Sequence, residues 1–326
     1  MNKVNVIKVL DSISPILSED YDIIHFNQDS IYAESNMIGI SCNLDFGFKA
    51  SIRGIELIKL LKKMSGDEVE FKLTDKTLSV KGGGLSAKFK KYDKEKTPPD
   101  FTELEFKEVP DNFIEAITAC LPSVSDKDIQ GILTGLHIDN ALMYGCNNVS
   151  VTEYEIPDMD VTFTLPKQTA SLLTKFNPKY YYITDNKAIF ANEDKTSYLW
   201  SVLMAGAYPV ENMVKLLSKE GDIFSLPEEI GKRADIVSLF AYDAQDGSSF
   251  IEVDIQPDKI VLGGNKSFGN LEDVMEYKSE GSVKFHVNSL SLNRALLIDN
   301  KFTYCGNFIV FENSQVRHLV CLVDHA

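Results

Sequence analysis

Residues 52–89 decide how this chain folds, and they read IRGIELIKLLKKMSGDEVEFKLTDKTLSVKGGGLSAKF. Apolar residues recur at helical spacing in the first part of the stretch, which predicts an amphipathic helix over Ile52–Met64. Val69–Leu73 and Thr77–Val80 then alternate apolar and polar residues, and Leu85–Phe89 follows three glycines. Period-two alternation around short turns predicts a β-meander that is buried on one face.

The same unit, one helix of about three turns followed by two or three short strands, recurs six times along the chain. Tyr180–Ile183, Phe250–Ile255 and Phe308–Phe311 are among the later strands that show the pattern. The six helices are predicted to begin near Val4, Ile52, Asp111, Pro166, Pro227 and Val287. A chain that alternates helices with meanders is expected to be an α+β protein dominated by antiparallel sheets.

Six units pair into three tandem domains of similar size. Domain boundaries are expected where the pattern pauses and polar or proline residues gather, and residues 94–100 and 208–221 are such places. The predicted domains are therefore residues 1–100, 101–208 and 209–326.

Composition restricts the classes of protein to consider. The 326 residues are 44% hydrophobic, which is typical of a folded globular chain, and the net charge of −15 argues against non-specific wrapping of nucleic acid. No apolar stretch approaches the roughly 20 residues that span a bilayer, so no membrane partner is expected. The five cysteines form no CxxC pair, which indicates reduced thiols and a cytoplasmic setting.

Positive charge is concentrated on the predicted helices. In the second helix three lysines share one face, opposite the apolar residues Leu57, Ile58 and Leu61. The basic residues expected to face DNA are Lys3, Lys8, Lys59, Lys62, Lys63, Lys167, Lys175, Lys232, Arg233 and Arg294. Such a face on a single helix is usually only solvated, and the third helix, with Asp111 and Glu115, carries no basic residue. The recurrence favours a sequence-independent contact with phosphates.

No constellation of catalytic residues is visible, so the chain is predicted not to be an enzyme and to use no metal or cofactor. The five histidines are isolated, without a second ligand at metal spacing. Gly82, Gly83 and Gly84 lie between two predicted strands, which indicates a hairpin turn and not a phosphate-binding loop. Acidic pairs at Asp158 and Asp160, and within residues 243–246, have no partner that would complete a site.

Several strings, taken in order, resemble the bacterial sliding clamp, the β subunit of DNA polymerase III, over essentially the whole chain. The most specific are Phe163–Lys167 before the fourth helix and Ser201–Pro209, which is similar to the family's domain-closing strand and its phenylalanine-proline turn. Gly131–Leu136 and Phe285–Asn288 are similar to the family's connector and to the segment that leads into its last helix.

The resemblance implies a head-to-tail homodimer that forms a ring, with helices lining a central hole and sheets outside. It further implies double-stranded DNA, a replicative DNA polymerase and a clamp loader as partners. In this family a hydrophobic pocket takes short peptides from client proteins. The positions that correspond to it are Leu133, Val149, Pro209, Met213, Val214, Val320, Leu322 and Val323.

The pocket departs from the family pattern. The usual Asp-Gly-His-Arg-Leu string is replaced by residues 146–150, Cys-Asn-Asn-Val-Ser, and the usual terminal Met-Pro-Met-Arg by residues 321–324, Cys-Leu-Val-Asp. The apolar character is kept, while basic and methionine side chains are replaced. Clients with different peptides are therefore expected.

Three alternatives remain at the level of sequence. One is the two-domain trimeric clamp of archaea and eukaryotes, which needs only four helix–meander units. Another is an acidic repeat scaffold or structural assembly protein without DNA contact. The third is an enzyme whose site is built from loops that carry no recognisable motif.

Overall fold

The computed structural model describes residues 1–93, 96–243, 249–266 and 269–323. Lys94 and Glu95 of the first predicted boundary, Asp246 of the second acidic pair, and Asp324 and His325 of the C-terminal tail lie outside the described residues.

The described chain is built from seven α-helices and 24 strands, with short 3₁₀ turns between some of them. The helices are α1 (Lys3–Ile13), α2 (Gly54–Lys63), α3 (Phe113–Cys120), α4 (Lys167–Phe176), α5 (Val210–Leu217), α6 (Ile230–Ser238) and α7 (Ser289–Ala295).

The first twelve strands are β1 (Ile23–Asn27), β2 (Ser30–Glu34), β3 (Ile38–Asn43), β4 (Lys49–Arg53), β5 (Glu70–Leu73), β6 (Thr77–Gly82), β7 (Leu85–Lys90), β8 (Lys107–Glu108), β9 (Gly135–Asp139), β10 (Leu142–Cys146), β11 (Ser150–Glu155) and β12 (Thr162–Pro166). The remaining twelve are β13 (Tyr180–Ile183), β14 (Lys187–Ala191), β15 (Tyr198–Val202), β16 (Asp222–Ser225), β17 (Tyr242–Asp243), β18 (Ser249–Ile255), β19 (Lys259–Lys266), β20 (Gly269–Glu276), β21 (Val283–Asn288), β22 (Lys301–Tyr304), β23 (Phe308–Glu312) and β24 (Val316–Cys321).

One order of elements occurs three times: a helix, four strands, a second helix and three strands. The three copies run from α1 to β7, from α3 to β15 and from α6 to β24, and the third also contains the two-residue strand β17. All six predicted helices are confirmed within a few residues. The first half of each copy has four strands where two or three were predicted, and α5 lies within a predicted boundary.

Helix α2 shows why these segments are helical. Leu57, Ile58 and Leu61 are buried on one face, while Lys62 and Lys63 lie in the last turn, where cations interact favourably with the helix dipole. The backbone N–H of Gly54 donates to the carbonyl of Asp22 at 2.8 Å and to its carboxylate at 3.1 Å, and the N–H of Ile55 donates to the same carboxylate at 2.7 Å. Asp22 therefore satisfies the first two N–H groups of the helix. Burial raises the pKa of Asp22 despite these bonds.

The glycine run forms the predicted hairpin turn. Gly82 pairs with Leu85 across β6 and β7, and the two residues between them, Gly83 and Gly84, have φ of 55° and 78°. A two-residue turn with both central φ values positive suits glycine, because a side chain there is strained.

The chain divides into two compact units, and the first comprises residues 1–114 and 165–204. It contains an eight-stranded antiparallel sheet in the order β4-β1-β2-β3-β15-β14-β13-β8 and a separate three-stranded sheet, β5-β6-β7. The eight-stranded sheet joins strands from two copies of the repeat, because β3 of the first copy pairs with β15 of the second.

The second unit comprises residues 115–164 and 205–326. Its eight-stranded sheet has the order β12-β9-β10-β11-β24-β23-β22-β16, which repeats the topology of the first sheet strand for strand. A second sheet runs β17-β18-β19-β20, with β21 paired to β18. A core of buried apolar residues, among them Val237, Val253, Leu292 and Phe311, lies beneath α6 and α7.

Candidate functional site

Three helices of the first unit carry most of the basic residues predicted to face DNA, and α1 packs against α2. Lys59 and Lys63 on α2 are exposed to solvent. Lys62 is also exposed, and its Nζ lies 2.7 Å from Oδ1 of Asp11 on α1. Lys3 Nζ donates to the carbonyl oxygen of Met64 at 2.5 Å, so this lysine ties the start of α1 to the end of α2.

Lys8 on α1 and Lys175 on α4 line one cavity of about 270 Å³, although they are far apart in the sequence. Its other lining residues are Asp11, Ser12, Ile40, Leu172 and Phe176. Lys167 lies at the start of α4 and is half-buried. The structure therefore brings basic residues of α1 and α4, from two copies of the repeat, to one surface of the first unit.

The helices of the second unit differ from those of the first. Lys232 on α6 and Arg294 on α7 are exposed. Arg233 is only half-exposed, and its Nη1 donates to Oδ1 of Asp273 on β20 at 2.7 Å. Arg233 therefore joins α6 to the sheet. Exposed apolar side chains also occur on or directly after α6 and α7, namely Ile236, Leu239, Leu290 and Leu297.

The residues predicted to form the client-peptide pocket all lie in the second unit, but only some of them lie at one hydrophobic cluster, here called the Met213 cluster. Met213 on α5 is buried in this cluster, and Leu133 packs against it. Pro209 precedes α5 and Val214 lies on it, and both are half-buried. Val149 is 54% exposed, and its carbonyl accepts from the backbone N–H of Cys321 at 2.8 Å.

The three C-terminal pocket positions lie elsewhere. Val320 is buried in the core beneath α6 and α7, and Leu322 packs against the same core. Val323 donates its backbone N–H to the carbonyl of His286 at 3.0 Å. Because side chains alternate along a strand, Leu319 and Cys321 join the Met213 cluster on the opposite face from Val320.

The cluster also contains residues that the sequence reasoning missed, chiefly Tyr208, Phe308 and Leu319. The Tyr208 ring stacks on that of His137 with centroids 4.5 Å apart, which fixes the segment before α5 on the sheet. The period-two pattern of β24 was the available signal, since it places Leu319 and Cys321 on one face.

A buried ion pair joins the two copies of the repeat within the second unit. Glu153 on β11 lies directly opposite Arg317 on β24, and Arg317 Nε donates to Glu153 Oε1 at 2.7 Å. The Glu153 side chain is 6% exposed and that of Arg317 is 30% exposed. This pair stabilises the β11·β24 junction next to the Met213 cluster.

Three histidines have hydroxyl partners inside the sheets. His25 Nδ1 lies 2.7 Å from Ser51 Oγ, His137 Nδ1 lies 2.8 Å from Thr164 Oγ1, and His318 Nδ1 lies 2.8 Å from Thr152 Oγ1. Burial lowers the pKa of all three, to about 4 for His25 and His318. Neutral, hydrogen-bonded imidazoles of this kind have a structural role.

Burial also shifts the pKa of the cysteine thiols, and in all five it raises it. Burial raises the pKa of Cys42 to about 12 and that of Cys146 to about 11, so these thiols remain protonated. Among the described residues, no group of three or more His, Cys, Asp or Glu side chains is arranged to hold a metal ion. No helix in the described part of the chain is long and apolar enough to cross a bilayer.

The repeated order of elements, the matched eight-stranded sheets and the basic helices define the class: the chain has the sliding-clamp fold. Solved structures of bacterial DNA polymerase III β subunits and sliding clamps match this fold over nearly the whole of both chains. The sliding clamp of Bacillus subtilis superposes with a TM-score of 0.83 at 14% identity, over 100% of this chain and 98% of that one. The predicted α+β class and the resemblance to bacterial clamps are confirmed.

Two other solved structures agree. The Helicobacter pylori β clamp bound to a DNA ligase peptide gives a TM-score of 0.81 at 15% identity, over 99% of both chains. The DNA polymerase β subunit of Streptococcus pyogenes gives 0.81 at 13% identity, over 100% of this chain and 99% of that chain. No family model matches the sequence, and no curated protein does. At these identities the likeness establishes the fold.

Proposed function

We propose that this chain is a DNA sliding clamp: two copies close into a ring around duplex DNA and tether the replicative DNA polymerase to it. The observation that carries the proposal is a pair of open strand edges. Copies of the repeat are joined inside the chain by β3·β15 and β11·β24. The corresponding strands of the third junction, β20 and β7, have no partner on their outer edges among the described residues.

The two open edges carry opposite charges. Lys88 and Lys90 are exposed on β7, whereas Glu272 and Glu276 are exposed on β20. Strand edges present unpaired backbone groups, and opposite charges favour pairing across strands. Pairing β7 of one copy with β20 of another is a head-to-tail contact, and such a contact ends in a ring when its rotation closes.

The three copies of the repeat support a three-domain organisation, with domains over residues 1–100, 101–208 and 209–326. The full-length likeness to bacterial clamps favours two such chains in the ring over three shorter ones. An acidic scaffold without DNA contact is less well supported. Helix α2 carries three exposed lysines, Lys59, Lys62 and Lys63, although the net charge of the chain is −15.

The mechanism requires no catalytic step by the protein, so we propose that it is not an enzyme. We further propose that it acts in the cytoplasm. A closed ring stays on DNA by topology, and weak phosphate contacts from lysines such as Lys59 and Lys63 allow it to slide. A tethered polymerase has a high effective concentration at the primer end, which gives processive synthesis. A clamp loader would open and close the ring.

We propose that clients dock on the Met213 cluster through a short apolar peptide segment, by analogy with the Helicobacter pylori clamp, which is bound to a ligase peptide. Val149 and Val214 offer accessible apolar surface there, and Leu133 lies beside them at the cluster. Lys and Arg are absent from residues 146–150, so a client that depends on a basic pocket residue is not expected to bind strongly.

The deciding experiment is retention on DNA. The protein is loaded on nicked circular plasmid with its cognate clamp loader and ATP, and the complex is isolated before and after the plasmid is linearised. Loss of the protein only upon linearisation is expected for a ring held by topology. Retention that survives cutting, or no loading with the matched loader, would support the scaffold alternative.

A further inference from the structure

In each copy of the repeat, directly paired residues, one on each of four neighbouring strands, form a row across the sheet. The rows of the three copies correspond to one another. In the first unit, pairing places Ser51, His25, Tyr32 and Ser41 side by side on β4, β1, β2 and β3. In the second unit the row begins with Thr164 beside His137. It continues with Tyr144 and Glu153 on β10 and β11.

The third repeat breaks this pattern at one position. Its row is His286, Glu252, Gly263 and Glu272 on β21, β18, β19 and β20. Glycine therefore stands where the first two repeats have tyrosine. A cavity of about 480 Å³ lies at this position, and its lining includes Phe250, Asn270 and the four residues of the row.

The chemistry of this cavity suits the end of a long cationic side chain. Glu252 Oε1 lies 2.8 Å from Lys284 Nζ, and Glu252 Oε2 lies 3.3 Å from His286 Nε2. Glu272 on the opposite side is exposed to solvent. The Phe250 ring provides an apolar wall along which the methylene groups of a lysine can pack.

The two internal junctions indicate which residue of β7 would reach the cavity. Trp200 of β15 faces Gly39 and lies in the same cluster as Tyr32. Leu319 of β24 likewise faces Val151 and lies in the same cluster as Tyr144. In both junctions, the residue across the seam, which is the line where two copies of the repeat pair, lies in the same cluster as the tyrosine of the row.

Hairpin pairing identifies the corresponding residue of β7. Trp200 is opposite Ile189 on β14, and Leu319 is opposite Val310 on β23. In the three-stranded sheet, the equivalent pair is Ser79 on β6 and Lys88 on β7. Lys88 thus corresponds to Trp200 and Leu319. In a β7·β20 junction it would lie beside Gly263, the glycine in the row of the third repeat.

We propose that Lys88 of a second copy of this chain enters the cavity at Gly263 and pairs with Glu272. This inference rests on the proposed ring and names the contact that closes it. In the register of the internal junctions, Lys88 faces Asn270 across the seam, and Ser86 faces Glu272. The internal seams have Trp200 and Leu319 at this position, with the Glu153–Arg317 pair beside Leu319, whereas the seam between subunits has an exposed lysine there. The ring should therefore open when salt screens this pair, while each subunit stays folded.

The test measures the dimer dissociation constant of the full-length protein by analytical ultracentrifugation in about 50 mM and about 500 mM NaCl. Lys88→Ala is expected to raise the constant roughly ten-fold or more in low salt and to remove most of its salt dependence. Lys72→Ala is the matched control, because Lys72 lies in the same row of the three-stranded sheet but on β5, the strand on the other side of the sheet from β7.

A charge exchange tests the partner. Lys88→Glu is expected to prevent dimerisation, and Lys88→Glu combined with Glu272→Lys is expected to restore it. If Lys88→Ala leaves the constant and its salt dependence unchanged in a protein that does dimerise, the assignment of Lys88 is overturned while the ring stands. A wild-type protein that is monomeric at every concentration tested would overturn both.

A third variant fills the cavity. The Cβ of residue 263 would meet no atom closer than 3.4 Å, so Gly263→Tyr can fold as the other two repeats do with tyrosine. Adding Lys88→Ala to Gly263→Tyr is expected to have no further effect on the dimer, because the lysine can no longer enter. A full ten-fold effect of Lys88→Ala in this background would contradict the proposal.

Discussion

Trp200 occupies the space that a side chain at position 39 would need. A Cβ built on Gly39 would lie 2.1 Å from Cε2 and Cζ2 of the Trp200 indole, which faces it across β3 and β15. The junction between two copies of the repeat therefore depends on a glycine on one strand and the single tryptophan of the chain on the other.

Gly39→Ala should destabilise the first unit. The rigid indole and the paired strands cannot both stay in place, and overpacking of this kind costs about 1–3 kcal/mol of unfolding free energy. Urea unfolding followed by far-UV circular dichroism, which reports on both units, measures the loss. Gly269→Ala is the control, because a Cβ there approaches Phe240 only to an ordinary 3.6 Å. Equal stability of the two variants would contradict the role of Gly39.

The Glu153–Arg317 pair should respond unequally to the removal of each partner. Arg317→Met leaves a carboxylate that is 6% exposed without its counter-charge, and stability is expected to fall by about 3 kcal/mol. Glu153→Gln leaves an arginine that is 30% exposed and solvated, so a fall of about 1–2 kcal/mol is expected. Chemical denaturation of both variants checks the order, and the reverse order would argue against a buried carboxylate.

Stability should fall between pH 6.5 and pH 4 because of the buried histidines. Burial, with the nearby Arg294 charge, lowers the pKa of His318 from 6.5 to about 4 in the folded protein. In this window the unfolded chain binds a proton that the folded chain does not, so stability is full above about pH 6.5 and is lost toward pH 4. The His318 contribution is at most about 3 kcal/mol.

His318→Asn isolates that contribution, since asparagine can keep a hydrogen bond to Thr152 without titrating. The variant should have a shallower fall in unfolding free energy between pH 6.5 and 4 than the wild-type protein. Parallel curves for the two proteins would show that His318 does not titrate in this range. Carboxylates contribute to both curves and cancel in the difference.

Exposed lysines of α2 should set the salt dependence of DNA association. Replacing Lys59 and Lys63 by glutamine is expected to make the slope of log affinity against log salt shallower, by about 0.9 for each phosphate that is no longer neutralised. Equilibrium binding of the protein to linear duplex DNA over a salt series measures this slope, because on circular DNA a closed ring is retained by topology whatever the lysines contribute. Arg233→Gln should leave this slope unchanged and destabilise the second unit instead, because Arg233 is bound to Asp273. An unchanged slope in the lysine variant would support the scaffold alternative.

Client binding should depend on the accessible margin of the Met213 cluster. Val149→Asp places a charge on an exposed turn residue, so folding should be unaffected while binding of the cognate polymerase weakens at least roughly ten-fold. Surface plasmon resonance with immobilised clamp measures the affinity. Ile223→Asp, at an exposed position of β16, is the control for an added surface charge. Equal binding by both variants would place the client elsewhere.

Much of the fold could be predicted because its signals are local. The helical period of residues 54–63, the alternation in β5 and β6 and the glycine turn between β6 and β7 each report on a few neighbouring residues. Helix α5 was missed, since its eight residues follow a proline in a segment where the repeat pauses. The fourth strand of each first half was also missed, because β4 and β12 run directly into helices.

By itself the sequence determined the helix-and-meander repeat, the α+β class and the basic character of the helices, since these follow from periodicity and composition. The resemblance to bacterial clamps rested on particular strings in their order along the chain. Only the tertiary structure decided which strands meet. The pairing of β3 with β15 joins residues far apart in the sequence, such as Ser41 and Tyr198, and no local pattern encodes such a pairing. Tertiary packing also directed Arg233 toward Asp273 and left a cavity at Gly263, because the environment of a side chain depends on distant strands.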